Sequence, residues 1–156
     1  MVAELAVGMV TAAETWPLRR RVLRPHHAGD AVVLGGDEEP RVVHLGARDA
    51  SGELVGIATV SPQAPPCAPD RPGAWRLRGM ATAEDRRGEG IGGVVLREAL
   101  RRVRAAGGTL VWCNARAGAV DFYAREGFTA AGERYVDPEL GPHLPMQLDL
   151  EGDRHG

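Results

Sequence analysis

Short apolar stretches recur along the chain between clusters of Gly, Pro and acidic residues. They read as alternating strands and helices, without internal repeats. Leu5 to Val10 predicts a first strand. Thr11 then stands as an N-cap, and Glu14 three residues on completes a capping box. The helix runs through Leu18 and Val22 and stops at Pro25, with Pro17 placed to kink its first turns. Gly29 to Pro40 is an irregular region holding Gly35-Gly36 and four acids. Val42 to Arg48 and Leu54 to Val60 predict two strands around the turn Asp49-Ala50-Ser51-Gly52, which is a hairpin signal. Residues 61 to 74 carry five of the eleven prolines and predict a long loop. Neither flank of that loop could fold alone, so it is not a domain boundary.

The second half has a clearer period. Trp75 to Thr82 predicts a strand and Gly90 to Arg104 the main helix. Ile91, Val94, Val95, Leu100 and Val103 form its apolar stripe, while Arg97, Arg101 and Arg104 line another face. Gly107-Gly108 supplies the glycine stop. Thr109-Leu110-Val111-Trp112 opens the next strand, and a helix follows through Phe122 and Tyr123. Phe128 to Glu133 and Leu144 to Leu150 predict the last two strands. A parallel pair joined by the Gly90–Arg104 helix, with antiparallel strands on either side, satisfies the right-handed crossover rule.

Composition narrows the class. A chain of 156 residues makes one domain, 1–156, and can bury about two-thirds of its unfolded surface. A net charge of −2 argues against a nucleic-acid partner. No apolar run reaches membrane-spanning length, and Met1-Val2-Ala3-Glu4 lacks the basic-then-apolar order of a signal peptide, so a cytoplasmic protein without a membrane partner is expected. Cys67 and Cys113 are too few for a disulfide scaffold or metal site, and Cys113 reads as an inert core thiol.

The stretch with most chemical content is Arg87-Gly88-Glu89-Gly90-Ile91-Gly92. Its three glycines let the backbone approach a ligand closely, and the helix that follows turns its positive dipole end toward the loop. A phosphate or pyrophosphate suits such a place. A Walker loop is excluded, because it needs a lysine and all 19 basic residues here are arginine. Gly88, Gly90 and Gly93 do spell the dinucleotide pattern G-x-G-x-x-G. That fold puts the glycines directly after a strand and an acid at the end of the next one. Here Ala83-Glu84-Asp85-Arg86 intervenes, and the next strand reaches Cys113-Asn114 without a carboxylate.

Arg87, Gly90 and Gly92 also spell R-x-x-G-x-G, which resembles the acyl-CoA pyrophosphate loop of the GNAT superfamily of N-acetyltransferases. Arg78-Gly79-Met80-Ala81-Thr82 is similar to the family's central strand, and Phe122-Tyr123 with Gly127-Phe128 to the helix and turn beyond it. Order and spacing agree over residues 75 to 129. The resemblance implies an α/β fold with a mixed, mostly antiparallel central sheet, flanking helices and a splayed parallel strand pair. It implies acetyl-CoA as co-substrate, no metal, and an amine acceptor that is a small molecule or peptide. The sequence leaves the oligomeric state open, a homodimer included.

The implied cofactor contacts are Arg87, Gly88, Glu89, Gly90, Ile91 and Gly92 at the pyrophosphate, with the main chain of Gly79, Met80, Ala81 and Thr82 along the pantetheine arm. The Met80 amide is placed to polarise the thioester carbonyl. Asn114 either touches the pantetheine or caps the start of the next helix. Tyr123 corresponds to the tyrosine that donates to the departing sulfur. Arg86 and Arg87 add charge near the phosphates.

The acceptor sets a further demand. An amine with a pKa near ~10.4 is neutral only about once in 2,500 molecules at pH 7, so catalysis needs a base or a lowered acceptor pKa. Related enzymes use a carboxylate on the central strand, but Trp75 to Thr82 holds none. His44 and His143 are the substitutes, since histidine titrates near neutral pH and both positions resemble ones bordering the acceptor cleft. A water relay from Glu53 or Glu84 is an alternative. Arg76 and Arg78 either bind an acidic acceptor or are solvated. Two functions stay open: an acetyl-CoA-dependent N-acetyltransferase, and a non-catalytic acyl-CoA-binding module for which the missing carboxylate is meaningful.

Overall fold

The computed structural model describes residues 4–23 and 39–151. The expected helix stop at Pro25 and the Gly29–Pro40 region up to residue 38 lie outside the described residues. Among the described residues eight strands, β1 (Ala6–Met9), β2 (Val43–Arg48), β3 (Leu54–Pro62), β4 (Ala74–Thr82), β5 (Leu110–Arg116), β6 (Thr129–Ala130), β7 (Tyr135–Asp137) and β8 (Gly141–Asp149), form a mostly antiparallel sheet in the order β1-β2-β3-β4-β5-β8-β6, with β7 also on β8. The chain divides into two compact units, Met1–Ser61 with Gly79–Arg102, and Pro62–Arg78 with Val103–Gly156.

In the first unit, β1 (Ala6–Met9) pairs antiparallel with β2 (Val43–Arg48), which pairs antiparallel with β3 (Leu54–Pro62). Between β1 and β2 lies α1 (Ala12–Leu18). Its capping box forms as the sequence predicts: Glu14 N donates to Thr11 Oγ1 at 3.1 Å and Thr11 N to Glu14 Oε1 at 2.8 Å. The helix is shorter than its pattern predicts. Pro17 cannot supply an amide to the ladder, and the chain passes after Leu18 into a π turn, Arg19–Leu23. The β2–β3 hairpin is fixed by Asp49, whose Oδ1 accepts from Ser51 N and Glu53 N at 2.9 and 3.1 Å.

The long helix α2 (Ile91–Ala105) starts in this unit against β3. Ile91, Val95 and Leu96 are fully buried, and the contact is made possible by Gly56. A Cβ there would lie 2.7 Å from Ile91 Cγ2 and 3.2 Å from Val95 Cγ2. The start of the helix therefore rests directly on the β3 backbone. Gly56→Ala overpacks that junction and is expected to cost about 1–3 kcal/mol, measured by denaturant unfolding. An unchanged midpoint would show that the helix start can shift freely. On the outer face, Arg101 and Arg102 both donate to Glu98, and these bonds hold its carboxyl down at about 2.

The second unit is built on β5 (Leu110–Arg116) and β8 (Gly141–Asp149), antiparallel from Leu110↔Asp149 to Arg116↔His143. The first residues of β4 (Ala74–Thr82) run parallel to β5, with Ala74↔Leu110, Trp75↔Val111 and Arg76↔Trp112 in register. α3 (Val120–Arg125) follows β5, and Tyr123, Phe128, Val111, Cys113 and Met146 are buried in this unit. α2 ends as predicted, with Gly107 at φ 87° and Gly108 N donating to Val103 O at 2.8 Å.

Three boundaries differ from the sequence reading. The strand expected over Phe128–Glu133 is only β6 (Thr129–Ala130), and β7 (Tyr135–Asp137) is additional. β8 begins at Gly141, because Asp137 Oδ1 accepts from Glu139 N and Leu140 N and closes a tight turn just before it. The proline-rich segment is a loop from residue 63, but an anchored one. Gln63 N donates to Ala74 O at 3.0 Å and Trp112 Nε1 to Gln63 O at 2.8 Å.

Candidate active site

The residues that the sequence singles out fall into two local arrangements, one in each unit. In the first, Glu84–Arg86 form a single 3₁₀ turn and residues 87–90 lead into α2. Gly88 and Gly90 have φ of 83° and 81°, and nothing lies within 4 Å of a Cβ built on either. Only glycine takes up these angles without strain. The first helical bond of α2 runs from Val94 N to Gly90 O at 3.2 Å, so the amides of Ile91, Gly92 and Gly93 have no ladder partner. An exposed loop of unencumbered amides at the positive end of a 15-residue helix is what a pyrophosphate needs.

Arg87 is exposed, and its charge helps to hold the neighbouring Glu84 carboxyl down. Glu89 is exposed as well. Arg86 departs from its expected role. Its guanidinium donates to Asp49 Oδ2 at 2.8 Å and to Glu89 at 3.0 Å, so it braces the loop against the β2–β3 turn. The carboxylates around it raise its pKa further, hydrogen bonding to Glu89 most of all. Glu84 pairs with Arg21 at 3.1 Å and Glu53 is exposed, so neither is buried as a relay would require.

Before the loop, β4 is interrupted by Gly79 at φ 64°, and a Cβ there would lie 3.2 Å from Arg19 Nε. Arg19 is only 1% exposed and donates through Nη2 to Thr59 Oγ1 at 2.9 Å. His44 Nδ1 lies 2.9 Å from the same oxygen. Thr59 Oγ1 accepts from Arg19 and is shared with the His44 ring, which ties His44 into a buried polar chain. Beyond Gly79, Met80 and Thr82 are half-buried and Ala81 is a core residue.

In the second unit, Tyr123 is 6% exposed, its ring 5.1 Å from that of Phe122 and 5.3 Å from that of Phe128. Its hydroxyl has no partner among the described residues and is not sealed from solvent. Burial raises the phenol well above its ordinary pKa, and Cys113 adds a little. Cys113 itself is pushed up to about 12 by burial, as an inert core thiol should be.

Asn114 does not sit at a strand end. β5 runs on to Arg116, which precedes the 3₁₀ turn Ala117–Ala119, so the capping role falls away. Asn114 is exposed inside the strand, and its side chain makes no hydrogen bond among the described residues. His143 lies within β8 rather than before it. Its Nδ1 is 2.8 Å from Gly141 O, and a carbonyl can only accept, so Nδ1 carries the proton and Nε2 keeps a free lone pair. The ring stacks on Tyr135 at 5.3 Å and 15°.

Sequence reasoning missed the partners of these residues. Arg19 shares a helical face with Ala12 and Thr15, and that period could have flagged it as buried. Thr59 and Tyr135 carry no such signal, because their roles come from strand pairing.

An open mixed sheet with a parallel pair, and a glycine loop at the start of the helix that joins the pair, defines an acyltransferase-like α/β fold. The sequence profile of the Acetyltransferase (GNAT) family matches residues 6–128, and the chain belongs to that family. It is 34% identical to the uncharacterised N-acetyltransferase YitI of Bacillus subtilis (strain 168) over 150 residues, 96% of this chain and 99% of that one. Its fold is also that of Escherichia coli ElaA, at a TM-score of 0.75 and 20% identity over 95% of this chain and all of the other. An aminoglycoside 6'-N-acetyltransferase crystallised with coenzyme A matches at a TM-score of 0.74 and 15% identity, covering 93% and 97% of the two chains. No described helix is long and apolar enough to cross a membrane.

Proposed function

We propose that this acetyltransferase moves an acetyl group from acetyl-CoA to a primary amine of a small molecule or peptide. The observation that carries the reading is the open loop at Gly88 and Gly90, with free amides at the start of α2. Arg87, Gly88, Glu89, Gly90, Ile91 and Gly92 hold the diphosphate in this reading. The main chain of Met80, Ala81 and Thr82 serves the pantetheine, as does the Asn114 amide. The neutral amine attacks the thioester carbonyl carbon, the C–S bond breaks, and the amine proton passes to a base. The departing thiolate accepts a hydrogen bond from Tyr123.

His143 is the better base of the two candidates. Its Nε2 lone pair is uncommitted, whereas the His44 ring is tied through Thr59 to the buried Arg19. His143→Gln is expected to flatten the acid limb of the pH–rate profile, while His44→Gln leaves the limb in place and lowers stability. An acid limb that persists in His143→Gln removes it from the role.

The overall reading is tested by thiol release from acetyl-CoA with polyamines, amino acids, aminoglycosides and peptides. Acetyl-CoA binding without turnover on any of them would favour a non-catalytic acyl-CoA-binding module.

A further inference from the structure

The strand face that carries Arg76 holds an unanswered charge. Arg76 lies opposite Trp112 in the parallel β4–β5 register, and its Cζ stands 5.2 Å from the centroid of that ring. The indole is fixed in turn, being 4% exposed and bonded through Nε1 to Gln63 O. The guanidinium therefore stands over a fixed ring within cation–π range. It is half-buried, and its Nε is enclosed without any hydrogen-bond partner. Desolvation is the main influence on it, pulling its pKa down, and the groups that oppose this are Tyr135 and Cys113. No described carboxylate acts on Arg76.

A guanidinium keeps its charge at any ordinary pH, so burial cannot be relieved by losing a proton. A charge that no neighbouring carboxylate offsets is costly to desolvate and is retained where something else completes it; with Nε enclosed, a ligand would meet the half-buried guanidinium at its terminal nitrogens. Arg19 and Arg78 also enclose an unbonded Nε, but Arg19 donates to Thr59, and of the three it is Arg76 that lies over an indole. The same β-sheet neighbourhood carries His143 and Tyr135, since Arg116↔His143 and Tyr135↔His143 are register partners on β5, β8 and β7.

We infer that the amine acceptor carries a carboxylate, and that Arg76, oriented by Trp112, is the residue that reads it. The inference rests on the acetyl-transfer reading above. A planar fork of donors suits a carboxylate, and a polycationic acceptor would meet a like charge at this point. Arg76 is in this account a specificity-determining residue, distinct from the proton-transfer groups.

Pairs of L-amino acids and their amides test it, supplied with acetyl-CoA to the wild-type protein, Arg76→Gln and Arg76→Lys. Thiol release and the Arg76 Nε–H NMR signal are followed in parallel. Wild type is expected to prefer the acids by roughly tenfold or more in kcat/KM, since charged hydrogen bonds are among the stronger ones. The amides have the less basic amine, so intrinsic reactivity favours the opposite order. Arg76→Gln should abolish the preference through KM for the acceptor while KM for acetyl-CoA stays unchanged. Arg76→Lys should retain part of it. Amides used as well as acids, or a Nε–H resonance that ignores the acids, overturns the proposal and leaves acetyl transfer standing. Failure of acetyl-CoA to bind by calorimetry sinks the transfer reading instead. Even then the resonance decides whether a carboxylate sits on Arg76, and it does so in wild-type protein should Arg76→Gln fail to fold.

Discussion

Tyr123→Phe is expected to lower kcat by one to two orders of magnitude, at or below the low end of general-acid effects (roughly 10²-fold and above). A free phenol, with a pKa of about 10, already gives up its proton less readily than a thiol near ~8.5. Burial raises Tyr123 further, which makes complete transfer to the departing thiolate still more uphill. In the proposed mechanism the hydroxyl acts by donating a hydrogen bond to charge as it develops, and a donor of that kind is worth a moderate factor rather than the whole rate. The variant separates this role from a packing role. The ring contacts with Phe122 and Phe128 survive the loss of one oxygen, and that oxygen has no internal partner to abandon. Stability should thus change by less than about 1 kcal/mol while kcat falls. Wild-type turnover in Tyr123→Phe would reduce the residue to a member of the core.

The regular elements were legible where a strong local rule and the tertiary structure agreed. Thr11 with Glu14 predicts a capped helix start, Asp49 to Gly52 a hairpin turn, and Gly107-Gly108 a helix stop, and each is found with the expected bonds. The misses share one cause. β7 and the early start of β8 depend on pairing partners distant in sequence, and the Asp137 turn that sets them up is a side-chain-to-backbone arrangement without an apolar period. The same holds for the end of β5. Ala115 is buried and Arg116 pairs with His143, so the strand continues past Asn114 although the sequence there looks like the approach to a helix.

The candidate site was legible in its backbone and much less so in its side-chain network. Glycine at positive φ is a requirement that sequence displays openly, and Gly79, Gly88 and Gly90 all meet it. Which arginine braces the loop and which does not cannot be read that way. Arg86 and Arg87 are neighbours of the same type, yet one is held by Asp49 and Glu89 while the other faces solvent. The histidines show the same limit. His44 and His143 looked equivalent, and only the groups facing each Nδ1, a hydroxyl tied to buried Arg19 and a backbone carbonyl, set their surroundings apart.

Gly90→Val should abolish measurable acetyl-CoA binding by calorimetry, a loss of about a hundredfold or more, while leaving the protein folded. The position is exposed, and a Cβ built there meets nothing within 4 Å, so no steric clash with the core follows from the change. The penalty arises in the backbone. At φ 81° a β-branched residue is strongly disfavoured, and the loop must relax toward negative φ. That rotation turns the peptide planes on either side of residue 90 and redirects the amides that feed the start of α2. The helix itself is retained by Ile91, Val95 and Leu96 in the core, so a melting temperature near wild type is the expected companion result. The two readouts together are what give the test its force. Lost binding in a folded protein assigns the diphosphate to these amides, whereas full affinity in Gly90→Val would mean that the coenzyme is held elsewhere on the chain.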